Sequence, residues 1–256
     1  MQELLSASIE KLLYYEEWEP THHQALKVAH DVACGMAYLH TAFEEPIIHR
    51  DLKSPNLLLV NLPPEKDSRR NTGTDSVIVK IADFGLSKDK EMEKQPSVTT
   101  KNNHHPGHAM TAMMTRCGST LWMAPEILMP GDNRQPYNEK VDVFSYAMCL
   151  VEILDWRLPW HGCGGTDQVP MKVTLGERPK HQLNKARKAP SLMRLADLVE
   201  RCWEQEPGQR PAFIEVSSAR DVHVYDWTRG IHCNAVLSDP AQPMFAWRRR
   251  FRADRL

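Results

Sequence analysis

The apolar residues Leu4, Leu5, Ile9, Leu12 and Leu13 recur at intervals that put them on one helical face, so the pattern predicts an amphipathic helix over residues 3–15. The acidic stretch Glu16-Glu17-Trp18-Glu19-Pro20 ends it. Thr21 then stands where an N-cap belongs, ahead of a second helix running to about Thr41. Its inner face is Ala25, Val28, Ala29, Val32, Ala33, Met36 and Leu39, at a period near 3.6. Two short apolar runs, Leu57–Val60 and Val77–Ile81, flank a polar stretch at 61–76 that holds Pro63, Pro64 and Gly73. They predict a small hairpin, not a large sheet. From Asn138 to Leu154 the chain is apolar nearly all round, the mark of a central buried helix. A further amphipathic helix is expected over 191–203, capped by Ser191, and a last short one after Pro211. Residues 87–117 are polar and irregular, which points to a functional or disordered stretch. The tail at 221–256 shows no period, and there is no internal repeat.

Composition narrows the classes. A chain of 256 residues makes one large domain or two small ones. The 32 basic against 33 acidic side chains leave a net charge of −1, which speaks against a nucleic-acid binder acting through bulk charge. A hydrophobic share of 41% is too high for wholesale disorder and ordinary for a globular chain. No apolar run approaches the ~20 residues that span a bilayer, and Met1–Leu5 lacks the basic start of a signal peptide. The cysteines Cys34, Cys117, Cys149, Cys163, Cys202 and Cys233 are scattered without a C-x-x-C pair. That favours reduced thiols over a disulfide framework or a zinc site. The expectation is a cytoplasmic protein with no membrane span and no nucleic-acid partner.

The chemistry lies in three motifs: His49-Arg50-Asp51-Leu52-Lys53-Ser54-Pro55-Asn56, then Asp83-Phe84-Gly85, then Ala124-Pro125-Glu126. In this order they resemble the catalytic loop, the metal-binding turn and the end of the activation segment of eukaryotic protein kinases. The resemblance implies transfer of the ATP γ-phosphoryl to a protein hydroxyl, a reaction whose loose transition state asks mainly for positioning and charge neutralisation. Asp51 would orient the acceptor hydroxyl and take its proton. Lys53 would bring an ammonium to the moving phosphate. Asn56 and Asp83 would give Mg²⁺ the hard oxygen ligands it prefers, and Gly85 would free the backbone after Phe84.

Lys53, two residues after Asp51, resembles the serine/threonine class. The run Gly118-Ser119-Thr120-Leu121-Trp122-Met123-Ala124-Pro125-Glu126 resembles the tyrosine-kinase-like group, which holds the Raf, mixed-lineage and plant Raf-like MAP-kinase-kinase kinases. Despite the group's name, those enzymes phosphorylate serine and threonine. Asp51–Leu58 and Cys202-Trp203 agree with that group. By the same resemblance Ser119 would bond Asp51 and Lys53 and help seat the acceptor. Glu126 would pair with Arg210, and Asp142 would accept backbone N–H bonds from the His49–Arg50 turn. Arg50 would gather a phosphate placed on the activation segment by an upstream activating kinase, with Ser97, Thr99, Thr100, Thr111 and Thr115 as candidate acceptors. The plainer alternative for each of these five is a hydroxyl-rich loop.

The resemblance covers residues 3–216, and it has gaps. The sequence holds no G-x-G-x-x-G, and no Val-Ala-Ile-Lys strand precedes the catalytic loop. The expectation is therefore a protein-kinase-like α+β fold whose present portion is the mainly α-helical C-lobe with short β-hairpins, the N-terminal β-lobe being missing. It would occupy residues 1–220, truncated at its start, with an unassigned tail at 221–256. Such a chain by itself would hold ATP weakly and show no useful activity. The polar insert at 61–76 and the long activation segment from Asp83 to Glu126 read as surface insertions. Three readings follow: the catalytic lobe of a serine/threonine kinase in a signalling cascade, a kinase-derived module that binds proteins without catalysis, or an inactive fragment. His104, His105 and His108 read as a polar loop ahead of a metal site, because no cysteine or carboxylate completes them at zinc-finger spacing. Trp247–Arg252 reads as a solvated end ahead of a nuclear-import or anionic-lipid patch. Trp156, Trp160 and Trp203 read as packing aromatics.

Overall fold

Ser8 decides where the first helix starts. Its backbone is extended and its side chain accepts the Lys11 N–H at 3.1 Å, so helix α1 runs only over Ile9–Tyr14. Ala7 and Ser8 form a strand, β1, where the apolar spacing had predicted helix. The computed structural model describes residues 7–60, 77–83, 119–129 and 137–218. All of these fall within Met1–Val224, one of two compact units, and the second, Tyr225–Leu256, lies outside the described residues together with the tail reading.

Helix α2, His22–Thr41, begins on a capping box. The Thr21 hydroxyl accepts the Gln24 N–H at 3.2 Å, and the Gln24 side chain accepts the Thr21 N–H at 2.9 Å. Two otherwise unbonded backbone N–H groups at the helix start are thereby paired reciprocally. Its inner face, from Ala25 through Val28, Ala29, Val32 and Ala33 to Met36, is buried.

The sheet has three strands where the sequence pattern predicts two. Strand β2 (Leu57–Leu59) is central, with β1 antiparallel on one side and β3 (Val79–Ile81) antiparallel on the other. Leu58 faces Ser8 across one ladder and Lys80 across the other. Alternation does the rest: Leu57 and Leu59 are fully buried, and Leu58 is half-exposed on the opposite face. The β1 strand escapes a pattern search because two residues carry no period. Helix α2 packs close to β3 at Gly35, where an added Cβ would stand 2.8 Å from the Ile81 Cδ1.

Pro125–Leu128 forms a short helix, α3, and Lys140–Asp155 forms α4. Every residue from Val141 to Leu154 is buried, so α4 is the axis around which the other helices pack. Its burial takes in Asp142, Ser145 and Glu152, polar groups that each need partners. Val169–Thr174 (α5), Asn184–Arg187 (α6), Pro190–Cys202 (α7) and Phe213–Ser218 (α8) follow. Ser191 does not cap α7. Pro190 takes the first helical position, which puts Ala189 at the cap, and the Ser191 hydroxyl instead meets His22 Nδ1 at 2.7 Å. Helix α8 lies against α2 and pins Phe213 between the His40 and Tyr146 rings, both met edge-on at centroid distances of 5.2 and 5.4 Å. Trp160 and Trp203 are buried, whereas Trp156 is half-buried beneath the Lys185 ammonium. Among the described residues, Cys34, Cys149, Cys163 and Cys202 form no disulfide, and no helix is long and apolar enough to cross a membrane.

Candidate active site

A buried carboxylate fixes the turn at His49–Arg50. Asp142, in the first turn of α4, is fully buried. One of its oxygens accepts the His49 N–H and the other the Arg50 N–H, both at 2.8 Å, while the His40 Nε2–H donates to it at 2.9 Å. Three donors replace the water the carboxylate gave up, which is the condition for burying a charge. The hold also sustains a left-handed backbone at Arg50, φ 70°, a conformation an arginine rarely adopts. The Arg50 guanidinium lies 5.2 Å from the centre of the Tyr137 ring.

The turn delivers three polar side chains to one place. Asp51 Oδ2 stands 2.8 Å from Lys53 Nζ and accepts the Asn56 amide N–H at 3.2 Å. The same Asn56 nitrogen donates to the Asp51 carbonyl at 2.7 Å. With that nitrogen spoken for, the amide oxygen of Asn56 carries no hydrogen bond among the described residues. Lys53 Nζ donates onward to the Ser119 hydroxyl at 2.9 Å. Ser119 therefore meets Lys53 but not Asp51; the second donor to Asp51 is Asn56.

The end of the hairpin brings in the fourth group. The Asn56 carbonyl accepts the Ala82 N–H at 2.9 Å, which extends the β2–β3 ladder by one rung and sets Asp83 beside the loop. His49 ties the same point. Its Nε2–H donates to the Ala82 carbonyl at 3.1 Å, leaving Nδ1 to accept the Asp51 N–H at 3.3 Å. Asp83 is exposed and left-handed, φ 62°. Asp51, Lys53, Asn56 and Asp83 thus share one region. Among the expected residues, Phe84, Gly85, Ser97, Thr99, Thr100, Thr111 and Thr115 lie outside the described residues, as do His104, His105, His108 and Cys117.

Glu126 and Arg210 form a two-pronged pair, with N–O distances of 2.7 and 2.9 Å. The remaining guanidinium N–H groups donate to the carbonyls of Glu204, Lys140 and Gln205. All five donors of a fully buried arginine are used. On α4, Phe144 carries Arg210 at 5.3 Å and Arg178 at 4.9 Å from its ring centre. Burial, with Arg210 adding to it, lowers the Arg178 pKa to about 10.

Glu152 stands in none of the three sequence motifs. It is fully buried and accepts three hydrogen bonds: the Tyr14 hydroxyl at 2.6 Å and the Ser54 hydroxyl at 2.7 Å on Oε1, and the Trp122 indole N–H at 2.7 Å on Oε2. An acid inside a helix apolar all round was the legible signal. Burial pushes its carboxyl up to about 7 against the pull of the three donors. Burial and the facing carboxylate push the Tyr14 phenol well above its ordinary range, so the shared proton stays on Tyr14. The folded protein then keeps a proton on Glu152 between about pH 4.5 and 7 that the unfolded chain has released. Its contribution to stability is intact below that window, declines as pH rises through it, and is level above. The total is on the order of 3 kcal/mol. Glu152→Gln, neutral throughout, is expected to flatten this part of the urea-midpoint profile between pH 5 and 8. A variant profile as steep as the wild type's would refute the assignment.

The profile of the family described as "Protein kinase domain" matches residues 2–221. Serine/threonine-protein kinase STY17 of Arabidopsis thaliana is 35% identical over 191 residues, covering 75% of this chain and 26% of that protein. Serine/threonine-protein kinase STY46 of the same plant is 35% identical over 191 residues, 74% and 25% of the two chains. Mitogen-activated protein kinase kinase kinase 7 of Drosophila melanogaster is 33% identical over 204 residues, 80% and 24%. The chain therefore spans about a quarter of the length of these curated relatives.

Proposed function

The chain belongs to the protein kinase domain family, and from that premise we propose that it is the catalytic lobe of a Raf-like serine/threonine kinase, which passes the γ-phosphoryl of ATP to a protein hydroxyl. The observation that carries the reading is the meeting of Lys53 and Asn56 on the Asp51 carboxylate, at 2.8 and 3.2 Å, with the Asp83 backbone brought alongside by the Ala82–Asn56 bond. A binding module has no chemical use for all four groups together.

Each group has a task. The Asp51 carboxylate orients the acceptor hydroxyl and receives its proton as the hydroxyl oxygen bonds to the γ-phosphorus. The bond from that phosphorus to the bridging oxygen breaks, and ADP leaves with the electron pair. Lys53, poised between Asp51 and Ser119, offsets charge on the moving phosphoryl group. Asn56 and Asp83 would hold Mg²⁺. The fit is chemical: the Asn56 nitrogen is engaged by Asp51 and so leaves the amide oxygen to a ligand, and Asp83, one residue past the Ala82–Asn56 backbone bond, carries the carboxylate that makes a hard oxygen pair with it. When bound, Mg²⁺ supplies positive charge against the phosphate oxygens. Arg50 would gather an activating phosphate. The serine/threonine class rests on Lys53 and on the names of the relatives, and the Raf-like placement on residues 118–126. A cytoplasmic site of action, a protein substrate and an upstream activating kinase belong to the same proposal.

The 256 residues contain no glycine-rich phosphate loop, so they are expected to hold nucleotide weakly by themselves, and activity is to be read in the protein as its gene encodes it. Millimolar Mg-ATP should raise the melting temperature of that protein, because a ligand bound to the native state alone adds to apparent stability, about 2.7 kcal/mol at a hundred times Kd. Asp83→Asn should lose most of the rise. A wild-type protein that shows no shift while remaining folded would favour the non-catalytic binding module.

A further inference from the structure

Glu152 joins segments that the catalytic reading leaves separate. Ser54 follows Lys53 in the catalytic loop, and Trp122 closes the turn that Ser119 opens. Lys53 already bridges to Ser119 at 2.9 Å on the outer side. The buried carboxylate bridges the same two segments on the inner side, through Ser54 and Trp122, both at 2.7 Å. A closed circuit results: Glu152, Ser54, Lys53, Ser119, Trp122 and back.

Tyr14 enters this circuit from outside. It ends α1, which continues directly from β1, and β1 pairs with the strand that leaves Asn56. Its hydroxyl shares Oε1 with Ser54. Two hydroxyls on one oxygen cannot be moved independently: a shift of α1 that pulls Tyr14 away changes the position and strength of the Ser54 bond. Hydrogen bonds shielded inside a protein are stronger than in water, and networks of them respond as units. We propose that Glu152 is a positioning residue that couples the first helix, through the Tyr14 hydroxyl, to the acceptor-binding side of the active site. The coupling rests on the kinase reading above and adds to it a route by which whatever moves α1 alters how the protein substrate is seated, without touching nucleotide or metal.

The test uses the full-length protein with Tyr14→Phe, Ser54→Ala and the pair. Tyr14→Phe is expected to raise the acceptor KM about five-fold while the ATP KM stays within about two-fold. The double variant should lose less than the product of the two single losses. A merely structural tyrosine would lower the melting temperature and leave that split alone. Independent multiplication of the two effects, or an unchanged acceptor KM in Tyr14→Phe, overturns the coupling. Activity that vanishes in Asp51→Asn but is untouched in Tyr14→Phe indicts only the coupling. A wild type without transferase activity indicts the kinase reading, and amide hydrogen exchange then decides the coupling by itself. Tyr14→Phe should speed exchange in residues 51–56 and 119–122, and protection identical to the wild type's would end the proposal.

Discussion

Asp51→Asn is expected to slow phosphoryl transfer by the full-length protein ~10²–10⁴-fold, the usual worth of a positioned base. The change keeps the side chain's outline and one accepting oxygen, but removes the charge that orients the acceptor hydroxyl and the basicity that takes its proton. The fold should survive it. Lys53 still has the Ser119 hydroxyl at 2.9 Å and keeps partial contact with water, its side chain being 16% exposed. Asn56 still has the residue 51 carbonyl at 2.7 Å. The melting temperature should therefore stay close to that of the wild type, and so should the shift produced by Mg-ATP. A variant with undiminished turnover would show that the proton goes elsewhere and would overturn the role given to this loop. A variant that unfolds would mean that the ion pair with Lys53 holds the loop together more than it serves the reaction.

Arg210→Ala should be the most damaging change outside that loop. It takes away five donors at once. Glu126, only 12% exposed at its side chain, is left as a shielded anion without its partner, and the carbonyls of Lys140, Glu204 and Gln205 each lose a donor. Removing one member of a buried pair costs about 3–5 kcal/mol, a large share of the ~5–15 kcal/mol that holds an ordinary domain folded. Urea unfolding reads the loss directly. Arg210→Lys serves where the alanine variant is insoluble. It keeps the charge but cannot offer the two-pronged grip, so it should fall between wild type and Arg210→Ala. A loss below ~1 kcal/mol would mean that the pocket fills with water at little cost.

The groups of the site were largely legible before the fold was. Asp51, Lys53, Asn56 and Asp83 stand in motifs whose order alone resembles one family, and the geometry gathers them. The long helices were legible as well, because α2 and α4 are long enough for their apolar period, or the lack of a polar face, to stand out. What escaped was short or conditional. Ala7 and Ser8 become a strand only because β2 offers an edge. Ser191 looks like a cap in sequence, but Pro190 moves the helix start one residue back and the hydroxyl turns to His22. Val169–Thr174 and Asn184–Arg187 are too brief for a period to form. Glu152 was missed for a different reason. Its three donors come from Tyr14, Ser54 and Trp122, 138, 98 and 30 residues away along the chain, and no local pattern reports such distant partners.

The position of Phe213 has a practical side. Its ring braces the His40 imidazole, and that imidazole is one of three donors steadying the carboxylate from which the His49–Arg50 turn hangs. The last described helix is thus a buttress for chemistry more than 160 residues upstream of it. Anyone trimming this polypeptide for expression should cut beyond Ser218, since a shorter product would lose the prop before it lost any residue of the reaction centre.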